Sequence, residues 1–302
     1  MIKKTKGIIL AGGTGSRLYP LTVVSNKQLQ PVHDKPMVYY PLSTLMLGGI
    51  KDIAVISSPD YIDRYKTLLK DGSQWGINIE YFTQSEPKGI AEAFLITENF
   101  IGEDNACLIL GDNIFYGDIH LQETLNNFKS GAHIFTYFVY NPEEFGVLEI
   151  NRGKVIDIKE KPKYPTSNHM IPGLYVYDNT VIEKTKNLKP SKRGELEITD
   201  LNRVYLKEKN IEIQDLGRAT VWFDAGKCSD LQKASEFIRT IEEQQIYKIG
   251  CLEEIALKQN FISYKKLASN VRFMPDCEYK EYLQQILLYK DEWFSKNKKF
   301  KI

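Results

Sequence analysis

Nothing in this sequence marks it for export, for a membrane or for a nucleic acid. Its apolar stretches are only a few residues long, far short of the roughly 20 that cross a bilayer. The start, Met1-Ile2-Lys3-Lys4-Thr5-Lys6, leads into just five apolar or small residues before glycines intervene. That is too little for a secretory signal, so a cytoplasmic protein is expected. An excess of one charge is missing too: 40 Lys plus Arg against 39 Asp plus Glu give a formal net charge of +1. No global field draws nucleic acid or anionic lipid, and any anion site must be local. The basic run Lys296-Asn297-Lys298-Lys299-Phe300-Lys301 reads as a solvated end. The four cysteines, Cys107, Cys228, Cys251 and Cys277, form no CxxC pair, and the four histidines show no paired spacing. A structural zinc site and a disulfide framework are both disfavoured. Low-complexity linkers and internal repeats are lacking as well. The 302 residues suit one large α/β unit with an appendage.

What is present is alternation. Gly7–Ala11, Ile53–Ser57 and Ala106–Leu110 read as buried strands, with helical patterns over Tyr40–Leu47, Asp60–Leu69, Gly89–Phe100 and Leu121–Phe128 between or after them. Asp60 is a candidate N-cap. Strand–helix alternation implies a Rossmann-like, mostly parallel sheet flanked by helices. From about residue 132 the strands crowd: Ile134–Val139, Gly146–Ile150, Val155–Ile158 and Gly173–Tyr177, with a turn at Asn151-Arg152-Gly153. This spacing predicts a mixed or antiparallel extension of the sheet. Helical patterns over Asp230–Gln245, Leu252–Gln259 and Tyr279–Asp291 then predict a C-terminal helical appendage. The expected division is 1–227, whose two parts meet at about 130–131, and 228–302.

The chemistry begins in Leu10-Ala11-Gly12-Gly13-Thr14-Gly15-Ser16-Arg17. In open α/β sheets, ligands bind just beyond the carboxyl ends of strands. Gly12, Gly13 and Gly15 let successive N–H groups converge on phosphate oxygens, and Arg17 adds a fork that matches phosphate geometry. A turn that simply needs glycine is the plainer reading. The string is neither a Walker A loop, which needs Gly-Lys-Ser/Thr, nor a dinucleotide fingerprint, since Gly13-Thr14-Gly15-Ser16-Arg17-Leu18 ends in Leu. Two apolar runs end in carboxylates, Leu108–Asp112 and Trp222–Asp224. Either aspartate could be an ordinary turn residue, but a pair suits Mg²⁺, which takes a few carboxylate oxygens plus phosphates and water.

Leu10 to Thr22, followed by Lys27-Gln28-Leu29-Gln30-Pro31 and Asp34-Lys35-Pro36-Met37, resembles the nucleotidyltransferase signature of sugar-nucleotide pyrophosphorylases. Tyr39–Met46, Asp71–Gly76, Leu110–Gly117 and Gly194–Asp200 resemble the glucose-1-phosphate thymidylyltransferases among them. The resemblance runs from about residue 6 to about residue 265. It implies transfer of a nucleotidyl group from dTTP to α-D-glucose 1-phosphate, the first step of deoxysugar synthesis of the dTDP-rhamnose type. It further implies a homotetramer with a second nucleotide site for feedback, to which the C-terminal helices and the 72–76 segment would contribute. By the same resemblance Arg17, Lys27, Asp112 and Lys161 are catalytic. Leu10, Gly12, Gly13, Gly15, Gln28, Gln84 and Gly89 join Arg17 and Asp112 at the nucleotide, Gln84 and Gly89 reading the thymine edge. Asn113, Gly146, Glu160, Ile171 and Gly173 join Lys161 at the sugar phosphate, and Asp112 with Asp224 holds Mg²⁺.

The chain departs from that pattern at several positions. Asn26 stands for a usual Ser, Gln30 for Leu, Lys88 for an acidic residue, Pro172 for Thr, and Ala225-Gly226-Lys227 for Thr-Gly-Thr. The expected charges survive, so substrate choice is what these changes touch. A relative using UTP or another sugar 1-phosphate is one alternative, and a catalytically silent nucleotide sensor is another. Loss of Arg17, Lys27, Asp112, Lys161 or Asp224 would have favoured the sensor, and all five are present.

Overall fold

A computed structural model describes residues 3–13 and 15–293; Thr14 and the basic run after residue 295 lie outside them. Strands β1 (Thr5–Leu10), β2 (Asp52–Ser57), β3 (Asn78–Thr83) and β4 (Asn105–Leu110) pair in parallel. Continuous apolar runs fit here because both faces of the sheet are covered. Ile9, Val55 and Ile109 enter one buried cluster, and Ile8, Ala54 and Leu108 the other.

The later strands are β5 (Asn113–Tyr116), β6 (Ala132–Phe138), β7 (Gly146–Asn151), β8 (Lys154–Glu160), β9 (His169–Met170), β10 (Leu174–Tyr177), β11 (Ile211–Asp215) and β12 (Val221–Asp224). One ten-stranded sheet runs β8-β7-β9-β6-β10-β4-β1-β2-β3, with β11 joining β6 in parallel. Direction changes where β10 lies antiparallel to both β4 and β6. The expected mixed extension therefore continues the parallel sheet itself. β5 and β12 form a separate antiparallel pair.

Helix α1 (Tyr39–Leu47) is buried from Tyr40 to Met46, which its apolar composition on all sides requires. α2 (Ile62–Leu69) buries Ile62, Tyr65 and Leu69. Asp60 is not its cap: Tyr61 holds that position and no side chain caps the helix. The helix expected over 89–100 is broken into α3 (Glu92–Ile96) and a turn at Glu98–Ile101. Two forces explain the break. Leu196 pulls the chain before Glu92 away, accepting from Ala91 N and donating to Lys88 O. Thr97 bonds back to Ala93 O at 2.7 Å, which loosens the helix at that point.

α4 (Leu121–Asn127), α5 (Val181–Lys186) and α6 (Ile198–Lys207) precede the C-terminal group. That group is α7 (Cys228–Gln245), α8 (Leu252–Lys258), α9 (Tyr264–Arg272) and α10 (Glu278–Leu288). Leu252, Leu267 and Leu283 share a core with Ile9 and Val55, each buried side chain contributing about 1.5–3 kcal/mol. The 72–76 segment packs on the chain's own helices: Trp75 Nε1 donates to Glu253 Oε1 at 2.9 Å, and Asn270 Nδ2 to Gln74 O at 2.8 Å. Among the described residues no helix is long and apolar enough to cross a membrane.

Candidate active site

Leu10 and Leu110 end β1 and β4 side by side, and Gly111 N donates to Leu10 O at 2.9 Å. The glycine loop and Asp112 therefore leave the sheet together. Gly13 and Gly15 take left-handed φ values of 94° and 59°, as a chain turned to present its N–H groups requires. Beyond Gly15 there is only a short 3₁₀ turn, Ser16–Leu18, so what the loop offers an anion is backbone amides and Arg17, with no helix terminus. Gly12 is a point of close approach. A Cβ there would stand 3.1 Å from Gln84 Oε1, and Gly12 O accepts from Gln28 Nε2 at 3.4 Å.

The antiparallel β5–β12 pair does the decisive positioning. It sets Asn113 opposite Asp224, and Ala225 N donates to Asp112 O at 3.1 Å. Two carboxylates remote in sequence thus share one floor. Lys27 Nζ meets Asp112 Oδ2 at 2.5 Å, and Asn113 Nδ2 donates to Asp112 Oδ1 at 2.9 Å. Burial alone would raise Asp112, but the Lys27 ammonium outweighs it and holds the carboxyl below its usual range. Asp224 goes the other way, pushed up to about 6 by burial and by the negative charge of Asp112. A Cβ on Gly226 would lie 3.0 Å from both Arg17 Nη2 and Asp224 Oδ2, so the guanidinium overhangs the same floor. Two neighbouring carboxylates, one made reluctant to ionise by burial and by the charge of the other, form a donor set that fits a divalent cation completed by phosphate and water.

Above this floor opens a cavity of about 700 Å³. Arg17, Asp112, Asn113, Gly146 and Glu160 line it, as do Lys161, Ile171, Gly173 and Asp224. Leu10, Gly12, Gly13, Gly15, Lys27, Gln28, Gln84 and Gly89 are not in its walls. Of these, Gly12 lies against both Gln28 and Gln84, while Gly89 is seated against Leu196. The register against β6 slips by two residues between Met170 and Tyr175, and this bulge turns Ile171-Pro172-Gly173 into the cavity wall. Gly173 N donates to Asn113 Oδ1 at 2.9 Å, joining that wall to the floor. Lys161 stands just past β8 with a positive φ of 41°, a conformation that costs a non-glycine residue about 1–2 kcal/mol. Lys161 N donates to Phe145 O at 3.0 Å, and its Nζ lies 3.9 Å from Glu160 Oε1.

Among the lining residues that sequence reasoning missed, three bear on the predicted polar groups. Thr199 Oγ1 donates to Glu160 Oε2 at 2.5 Å, Trp222 Nε1 donates to Asn113 Oδ1 at 2.7 Å, and Arg193 Nη2 lies 3.6 Å from Glu160. Trp222 was within reach, being two residues before Asp224 on the same face of a strand. Several departures prove absorbed by local bonds. Asn26 caps the Lys27–Leu29 turn through Gln28 N, Gln30 Nε2 reaches Leu21 O at 2.9 Å, and Lys227 Nζ pairs with Glu144 at 2.7 Å.

The nucleotidyl transferase family profile matches residues 6–241. The chain belongs to the nucleotidyl transferase family. A glucose-1-phosphate thymidylyltransferase of Neisseria meningitidis is 51% identical over 93% of this chain and 99% of that protein. The Mycolicibacterium smegmatis enzyme of the same name is 49% identical over the same shares. A solved Bacillus anthracis chain, described as a glucose-1-phosphate thymidylyltransferase with sucrose bound, is 43% identical with a TM-score of 0.73, covering 78% of this chain and 96% of that one. For a nucleotidyl transferase the site is suited to its work: cations and paired carboxylates converge on one cavity.

Proposed function

We propose that the chain transfers a thymidylyl group from dTTP to α-D-glucose 1-phosphate, giving dTDP-glucose and pyrophosphate. The observation that carries this reading is the convergence of Asp112, Asp224, Arg17 and Lys161 on one cavity, alongside relatives that share about half of the sequence. A phosphate oxygen of the sugar phosphate forms a bond to the α-phosphorus, and the bond from that phosphorus to the β-bridging oxygen breaks. The electron pair leaves with pyrophosphate. The attacking oxygen is already anionic, so no proton need be removed and no covalent enzyme intermediate is required.

The protein's task is to bring two polyanions into line. Arg17 and the loop amides hold the triphosphate, and Lys27 keeps Asp112 ionised and fixed. Lys161 and Arg193 neutralise the sugar phosphate, whose hydroxyls face Glu160, itself held by Thr199. Gln84 reads the thymine edge. The cation held by Asp112 and Asp224 is read as Mg²⁺, which when bound supplies charge neutralisation across the phosphates. The division at residue 228, a cytoplasmic setting and a homotetramer belong to this same reading.

The test is a pyrophosphate-release screen of dTTP, UTP, CTP and GTP against several sugar 1-phosphates, with and without divalent cation. The expected result is fastest release with dTTP, glucose 1-phosphate and the cation together. No release with any pair, or a clear preference for a different pair, overturns the proposal.

A further inference from the structure

Gln84 ends the run after β3, where its N donates to Ser57 O at 2.9 Å, and its side chain is 8% exposed. An amide head can lie two ways, and a base reader must lie only one way. One neighbour decides here. Gln84 Nε2 donates to Glu92 Oε2 at 2.6 Å. Glu92 opens α3, is half-buried, and among the described residues pairs with no lysine, arginine or histidine. An ionised carboxylate only accepts. Turning the amide over would bring two acceptor oxygens together at that distance and leave the Glu92 side unpaired. The nitrogen is therefore committed to Glu92, and Oε1 is directed to the opposite side, against Gly12.

We infer that Glu92 is a positioning residue that fixes the Gln84 amide for a pyrimidine ring with N3–H beside a carbonyl. This rests on the reading of Gln84 as the base contact. In that pose Oε1 accepts from ring N3–H, and the second hydrogen on Nε2 donates to the ring carbonyl. Thymine and uracil offer that edge. Cytosine offers the reverse, a bare N3 beside an amino group, and would need the amide turned over at the expense of the Glu92 bond. Selection against cytosine thus originates in a residue that does not touch the base. The pull of Leu196 on residues 88–91 places Glu92 at the start of α3, within reach of Gln84 just past the end of β3.

The test compares kcat/KM for dTTP and dCTP, each with glucose 1-phosphate, in the full chain and in Glu92→Gln, Glu92→Leu and Gln84→Ala. Glutamine at 92 both donates and accepts, so it lets the neighbouring amide lie either way. The dTTP-to-dCTP ratio is expected to fall about tenfold or more in Glu92→Gln, with dTTP turnover retained as proof of folding. Glu92→Leu should lower the ratio as well, and Gln84→Ala should lower it at least as far. A structural role alone would reduce both nucleotides in equal proportion, leaving the ratio unchanged, and that result overturns the inference. If Gln84→Ala lowers the ratio and neither Glu92 variant does, the inference fails while the reading of Gln84 stands. If Gln84→Ala leaves the ratio untouched, the base is read elsewhere and both fail.

Discussion

Buried charge is handled in opposite ways on the cavity floor and beneath the C-terminal helices. Under the helices Asp34, Lys35, Glu242, Lys248, Glu253 and Glu254 all meet ion-pair or hydrogen-bond partners. Lys35 and Lys248 bridge Asp34 and Glu242, with Lys35 Nζ 3.1 Å and Lys248 Nζ 3.4 Å from Glu242. Glu253 accepts from Trp75 Nε1 and Tyr279 Oη, and Glu254 from Tyr282 Oη and Trp293 Nε1. His33, Asp34 and Glu242 stand close enough to resemble a metal cluster, but the two lysines already neutralise them. On the cavity floor the matching stops short. Asp112 takes Lys27, Asp224 is left beside a like charge, and Lys161 and Arg17 project into solvent-filled space with only distant carboxylates near them. Closed networks staple helices to the sheet. An open one is a site still owed a ligand.

The sharpest way to break that contrast is to remove an open cation. Lys161→Ala should lower kcat/KM by about 10²–10³, much as the loss of one oxyanion donor does in other enzymes, with unchanged melting temperature. Near-normal turnover would remove Lys161 from the site. Next comes the unmatched carboxylate. Asp224 holds a proton below about pH 6 in the free protein, and cation binding needs it ionised. Divalent-cation affinity should therefore be steady above about pH 7 and fall by about tenfold per pH unit below about pH 6. Calorimetric titration from pH 8 to pH 5 reads this directly, and a flat profile would show that the two aspartates do not form the cation site. A change in the closed set should show the reverse pattern. Glu253→Ala strands two buried donors, at about 1–3 kcal/mol each, and should lower the urea midpoint without altering kcat. Smallest of all, Lys227→Thr removes an exposed pair with Glu144 and should change kcat/KM by less than about threefold.

How much of this was legible in the sequence depends on separation along the chain. The parallel strands and the glycine loop announce themselves within a few residues, and both stand where expected. Asp112 and Asp224 each looked like a strand end, but their meeting depends on a pairing between Asn113 and Asp224 that no local pattern encodes. The late start of the helix expected over 89–100 has the same origin, since Leu196 holds residues 88–91 from over a hundred residues away. Asp60 failed as a cap because the helix starts one residue too late for its side chain. Thr199 sits in a stretch noted only for its resemblance, and Arg193 just before it; nothing local says that Thr199 will hold Glu160. Side chains that act through strand ends are readable early, and those that act across the fold are not.

The central claim is that this protein contributes position and charge to a single in-line displacement and no nucleophile of its own. Its most direct test is the configuration at phosphorus when one diastereomer of dTTP carrying sulfur on the α-phosphorus reacts with glucose 1-phosphate. Inversion at the α-phosphorus in the dTDP-glucose analogue is the expected result. Retention would mean two displacements through a covalent enzyme intermediate and would contradict the account.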